Sequence, residues 1–70
     1  MKHRVLTSYP ELSDPNYKRY VEYLDHLGLQ GRDWDNQQIG DDWNRDDYCW
    51  YFSTGEMALL FKMYSGGRML

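Results

Sequence analysis

Apolar residues recur at helical spacing most clearly at Tyr17, Tyr20, Val21, Leu24 and Leu27, while Lys18, Arg19, Glu22 and Asp25 fall on the opposite side. Stop signals bracket this stripe. Asp14 suits an N-cap with Pro15 at the first helical position, and Gly28 followed by Leu29 reads as a left-handed cap whose apolar residue reaches back to Leu24. One amphipathic helix is therefore expected between Asp14 and Gly28. Before it, Arg4 to Tyr9 reads as a short strand ended by Pro10. After it, Gly31 to Asp47 keeps no period and is dense in Asp, Asn and Gly, so a long loop is expected, with room for a short helical turn between Trp34 and Gln38.

The last third fits two periods. Read as a hairpin, Tyr48 to Phe52 and Met57 to Tyr64 are strands joined through Ser53-Thr54-Gly55-Glu56. Alternation then puts Tyr48, Trp50 and Phe52 on one face, and Met57, Leu59, Phe61 and Met63 on one face of the second strand. Read as a helix, Ser53 and Glu56 form a capping box before Met57, Leu60, Phe61 and Tyr64, and Gly66 closes the element. We favour the hairpin, because the run Tyr48-Cys49-Trp50-Tyr51-Phe52 is strand-like and otherwise has no partner. The expected fold is a single small α+β domain over residues 1–70, β-α-β-β, with one amphipathic helix on a short antiparallel sheet. The alternative keeps the C-terminal element helical.

Composition sharpens this picture. In 70 residues there are three Trp, seven Tyr and two Phe, so large rings must fill a core that so short a chain can barely build. A balance that thin makes self-association, a homodimer among the options, a reasonable expectation. The single Cys49 excludes an internal disulfide. With neither a leader pattern nor an 18-residue apolar run, the expected compartment is the cytoplasm, with no membrane partner.

Charge is unevenly placed. The net value is −3, yet the six Asp and two Arg between Gly31 and Asp47 sum to −4, which leaves about +1 elsewhere. An acidic chain argues against general nucleic-acid affinity.

Site chemistry is sparse. Asp33 and Asp35 match the first two ligand positions of a calcium loop, but Gln38 stands where the turn needs Gly and Asn44 where the bidentate Glu belongs. For zinc or for a thiolate nucleophile only His3, His26 and Cys49 are available, too far apart in sequence to form a motif. His26 sits where a helix C-terminus favours a base, and Cys49 alternates with strand positions that face a core. Gly66-Gly67 has no helix after it and is no phosphate loop. No enzyme, cofactor or metal is expected.

Surplus aromatic surface is what remains. Trp50, Tyr20 and Phe61 suit a core, whereas Trp34 and Trp43 are flanked by aspartate and lie outside any periodic segment. The expected function is a non-catalytic protein-binding module, an inhibitor or regulator that occludes a basic surface of a partner. Its expected site is the acidic segment: Asp33, Trp34, Asp35, Asp41, Asp42, Trp43, Asp46 and Asp47. In a sharper form the acids imitate nucleic-acid phosphates, as small inhibitors encoded by phages and mobile elements do. Two alternatives stand beside it. One is a single-stranded nucleic-acid binder that stacks bases on Tyr51 and Tyr64 with Lys62 and Arg4. The other is a structural homo-oligomer subunit.

Overall fold

A computed structural model describes residues 1–8, 14–39 and 47–70. Its elements are β1 (His3–Thr7), α1 (Asp14–Leu27), β2 (Trp34–Gln38), β3 (Tyr48–Phe52), α2 (Gly55–Ser65) and β4 (Arg68–Met69). The four strands form one sheet in the order β2-β3-β1-β4, with every neighbouring pair antiparallel. The fold is α+β. Two β-α-β units interleave in it, the split β-α-β connectivity, a frame that hosts many unrelated functions.

Register assigns every strand residue to a face. Val5 pairs with Trp50, and Asn36 pairs with Trp50 from the other side, so successive rows alternate between the two faces of the sheet. Val5, Thr7, Trp34, Trp50 and Phe52 point toward the helices and are all fully buried. Tyr20 and Leu24 of α1 and Ala58 and Phe61 of α2 close over them. Trp50 is the hub, with ring centroids of Phe61 at 4.8 Å, Tyr17 at 5.9 Å, Tyr20 at 6.2 Å and Trp34 at 6.3 Å. Its indole N–H donates to Thr7 Oγ1 at 2.8 Å, so this large ring is buried with its polar atom satisfied.

The expected helix is present, with one correction at its end. Gly28 is not left-handed, since the glycines with positive φ are Gly31 and Gly66, and Leu29 is exposed rather than packed back on the helix. Gly28 is required for space instead. A Cβ there would lie 2.5 Å from Asp33 Oδ2 and 2.6 Å from Asp33 Cβ, because the Asp33 side chain folds back over the helix end. At the other end, Tyr9, Pro10 and the side chain of Asp14 lie outside the described residues, and the first strand runs His3–Thr7.

Two further expectations are overturned. The segment Trp34–Gln38 is a strand, not loop or helical turn, although Asp, Asn and Gln are poor strand formers. Tertiary context wins here. Trp34 anchors one end in the core, and the β3 edge, a run of strong strand formers, supplies the hydrogen-bonding partner. The favoured C-terminal hairpin is likewise replaced by helix α2, the alternative weighed above. Strand β3 has its partners in β1 and β2, so the argument that it needed residues 57–64 fails. The cap is Thr54, one residue beyond the Ser53 of the expected box: its Oγ1 accepts from Met57 N at 3.2 Å. Gly66 closes the helix at φ 77°, donating its N–H to Lys62 O at 2.9 Å.

Candidate functional site

The acidic segment does not gather into one cluster among the described residues. Asp33 sits in the turn from α1 to β2. Its Oδ2 accepts from Leu29 N at 2.8 Å and from Arg32 Nε and Nη2 at 3.0 and 2.7 Å. The hydrogen bonds from Arg32 and then from the Leu29 amide hold the Asp33 carboxyl below the usual carboxylate range, and the same pairing raises the Arg32 guanidinium. Asp33 therefore staples a turn.

Trp34 corrects another expectation. It is fully buried, so it offers no contact surface; it faces the core because its register opposite Phe52 puts it on the helix side of the sheet. Its indole Nε1, like Asn36 Nδ2 two residues on, is buried with no hydrogen-bond partner.

Asp35 lies on the other face. Ser53 N donates to Asp33 O and Ile39 N donates to Asp47 O, which directs the odd-numbered residues of β2 toward β3 and turns the Asn36 amide to the free edge. There Asp35 Oδ1 accepts that Asn36 N–H at 2.9 Å, and Gln30 Nε2 donates to the same oxygen at 3.3 Å. A carboxylate over an edge amide blocks pairing with a foreign strand. Asp35 is an edge guard in this arrangement.

Asp47 stands at the far end of the hairpin. Its carbonyl accepts from Ile39 N at 3.0 Å, which closes the ends of the β2–β3 connection. Asp41, Asp42, Trp43 and Asp46 belong to that connection in sequence and lie outside the described residues.

The sheet face away from the helices carries Arg4, Leu6, Asp35, Gln37, Cys49, Tyr51 and Arg68. Tyr51 is the one aromatic ring among them, flanked across strands by Arg4 and Asp35, and its hydroxyl donates to Gln37 Oε1 at 3.4 Å. Hydrogen bonding with Cys49, and then the charge that thiol would carry, raise the Tyr51 phenol above its ordinary range, while Arg4 works the other way. The expected stacking platform is divided by this geometry. Tyr64 and Lys62 ride on α2, which packs its Phe61 against Trp50 and Phe52 on the opposite side of the sheet.

The chemistry-bearing residues are also dispersed. His3 aligns with Phe52 on the helix face near Gly55, whereas Cys49 aligns with Leu6 on the other face and His26 is exposed in the last turn of α1. Among the described residues no three His, Cys, Asp or Glu side chains converge as metal ligands would, and both Asp33 and Asp35 already serve as acceptors within the chain. No helix among them is long and apolar enough to cross a membrane.

One surface was not anticipated. Helix α2 buries Ala58, Phe61 and Ser65, yet its outer side is also apolar: Met63 is 73% exposed, Leu59 50%, Tyr64 44% and Leu60 41%. The signal was present in the sequence as Glu56, Leu59, Leu60 and Met63 at i, i+3, i+4 and i+7, a second stripe opposite the first. No family model, curated protein or solved structure matches the chain.

Proposed function

We propose that this chain is a non-catalytic protein-binding module that engages a basic surface of another protein through its β2–β3 connection, and inhibits or regulates that protein by occlusion. Asp41, Asp42, Asp46 and Asp47 steer the approach and fix orientation, and Trp43 supplies the contact energy. Trp34 and Asp33 drop out of the contacting set, the first because it fills the core and the second because it staples a turn.

The observation that carries this reading is the Ile39 N–H to Asp47 O bond at 3.0 Å. It brings together Ile39 and Asp47, the described residues on either side of the sequence that carries Asp41, Asp42, Trp43 and Asp46. In general, bringing the ends of a connection together lowers the freedom it has left to lose on docking. The reading is further supported by where the remaining polar residues are used, since Asp33 and Asp35 satisfy backbone amides.

The test is affinity capture from a lysate of cells that naturally make the protein, with nuclease, at low and moderate salt, comparing the parent with a variant carrying Asn at 41, 42, 46 and 47. A stoichiometric protein retained by the parent, weakened by salt and lost by the variant, is the expected result. Equal retention by both would remove the electrostatic basis of the proposal, and a bound species destroyed by nuclease would redirect it to nucleic acid.

A further inference from the structure

The sheet face away from the helices carries two cations with no counter-ion. Arg4 on β1 and Arg68 on β4 stand in adjacent rows of that face, Arg4 beside Tyr51 and Arg68 beside Leu6. Both are exposed, and neither makes an ion pair or a side-chain hydrogen bond among the described residues. Asp35, the carboxylate in the row of Arg4, lies two strands away and is held by the Asn36 amide and Gln30. The β1–β4 half of this face is thus positive in a chain whose net charge is −3.

Tyr51 lies between Arg4 and Asp35, and its ring leans along the sheet. The hydroxyl donates to Gln37 Oε1 at 3.4 Å, one row on and one strand over, so the ring crosses toward Cys49, two residues back on β3. Cys49 is only 3% exposed although no helix covers this side. The partly exposed ring accordingly keeps one face on the sheet and turns the other to solvent.

We propose that this face binds a single-stranded nucleic acid, one base stacking on Tyr51 while Arg4 and Arg68 hold phosphates. Charge and shape together name the occupant. An acidic peptide would satisfy the arginines and leave the ring uncovered, whereas a nucleotide strand brings an anion for each guanidinium and a flat π-face for the ring. The site is separate from the acidic connection. Ile39 and Asp47, on either side of that connection, lie beyond the row of Gln37 and Cys49, on the side away from Arg4. The acidity of the whole chain keeps the binding weak and strongly salt-dependent.

Fluorescence anisotropy of a labelled oligouridylate, titrated with the full chain from low to moderate salt, tests it. The logarithm of affinity should fall against the logarithm of salt with a slope of about −1.4, roughly 0.7 for each of two phosphates, and Arg4→Gln or Arg68→Gln should each halve that slope. Tyr51→Leu should weaken binding by about five- to a hundredfold, and Tyr51→Phe should stay within about twofold of the parent, with circular dichroism showing each variant folded. The variant with Asn at 41, 42, 46 and 47 should bind at least as well as the parent, which separates this site from the acidic one. Affinity unchanged by Arg4→Gln and Arg68→Gln together, or by Tyr51→Leu, overturns the proposal. So does the absence of any anisotropy change at low salt, or displacement of the oligonucleotide by polyglutamate at equal charge concentration.

Discussion

Replacing Thr7 with Val tests how the core is held. Thr7 and Trp50 are both fully buried, and the Thr7 Oγ1 to Trp50 Nε1 contact at 2.8 Å is the bond that satisfies the central indole. Val keeps the shape of Thr and replaces its hydroxyl, the acceptor for the indole, with a methyl group. The indole N–H would then be buried without a partner, at a cost of about 1–3 kcal/mol. In a domain of this size each kcal/mol moves the melting temperature by about 4–8 °C, so a loss of roughly 5–20 °C is expected. A double-mutant cycle isolates the bond from the volume change. In a Trp50→Phe background, already weakened by lost packing, Thr7→Val should be neutral or stabilising, because it then removes an orphaned hydroxyl. Urea unfolding followed by circular dichroism gives all four stabilities. Equal Thr7→Val costs in both backgrounds would refute the reasoning, since the hydrogen bond would then contribute nothing to the difference.

The other predictions concern local stops. Thr54→Ala should destabilise by about 1 kcal/mol through loss of the Met57 N–H acceptor, and Thr54→Ser should restore most of it, both read from urea midpoints. Asp33→Asn should reshape the acid limb of stability. The Asp33 carboxyl is depressed in the folded state, so its contribution is fully present above the ordinary carboxylate pKa of about 3.9 and is lost as pH falls through the lower folded value. The gap between parent and variant should therefore close on acidification, and parallel acid limbs would contradict it.

What could be read from the sequence depended on how far each segment decides its own structure. Helix α1 was legible because its apolar stripe and its stops agree locally. Strand β3 was legible from five residues with strong strand preference. Strand β2 was not, since Asp35-Asn36-Gln37-Gln38 carries no strand signal of its own; only Trp34 in the core and the β3 edge make it one. At Gly28 the local pattern suggests a left-handed cap, because a close approach by Asp33, five residues ahead, leaves no local mark. The candidate site suffered from the same limit. Aspartates close in sequence suggest one cluster, but a strand sends Asp33 and Asp47 to opposite ends and commits Asp35 to an edge amide.

The ambiguity of residues 55–65 has a different origin, and it bears on function. Met57, Leu59, Leu60, Phe61, Met63 and Tyr64 place apolar side chains at both two-residue and helical spacings, so periodicity alone could not choose. A surface helix that only had to cover the sheet needs one apolar side, as α1 shows with Lys18, Arg19, Glu22 and Asp25 turned outward. The excess in α2 is what blurred the sequence pattern and also what remains uncovered once Ala58 and Phe61 have met the core. Polar residues at 59, 60 and 63 would have made the segment an unmistakable amphipathic helix at no cost to packing. Their apolar identity therefore gives the helix a second apolar side that nothing in the described chain covers.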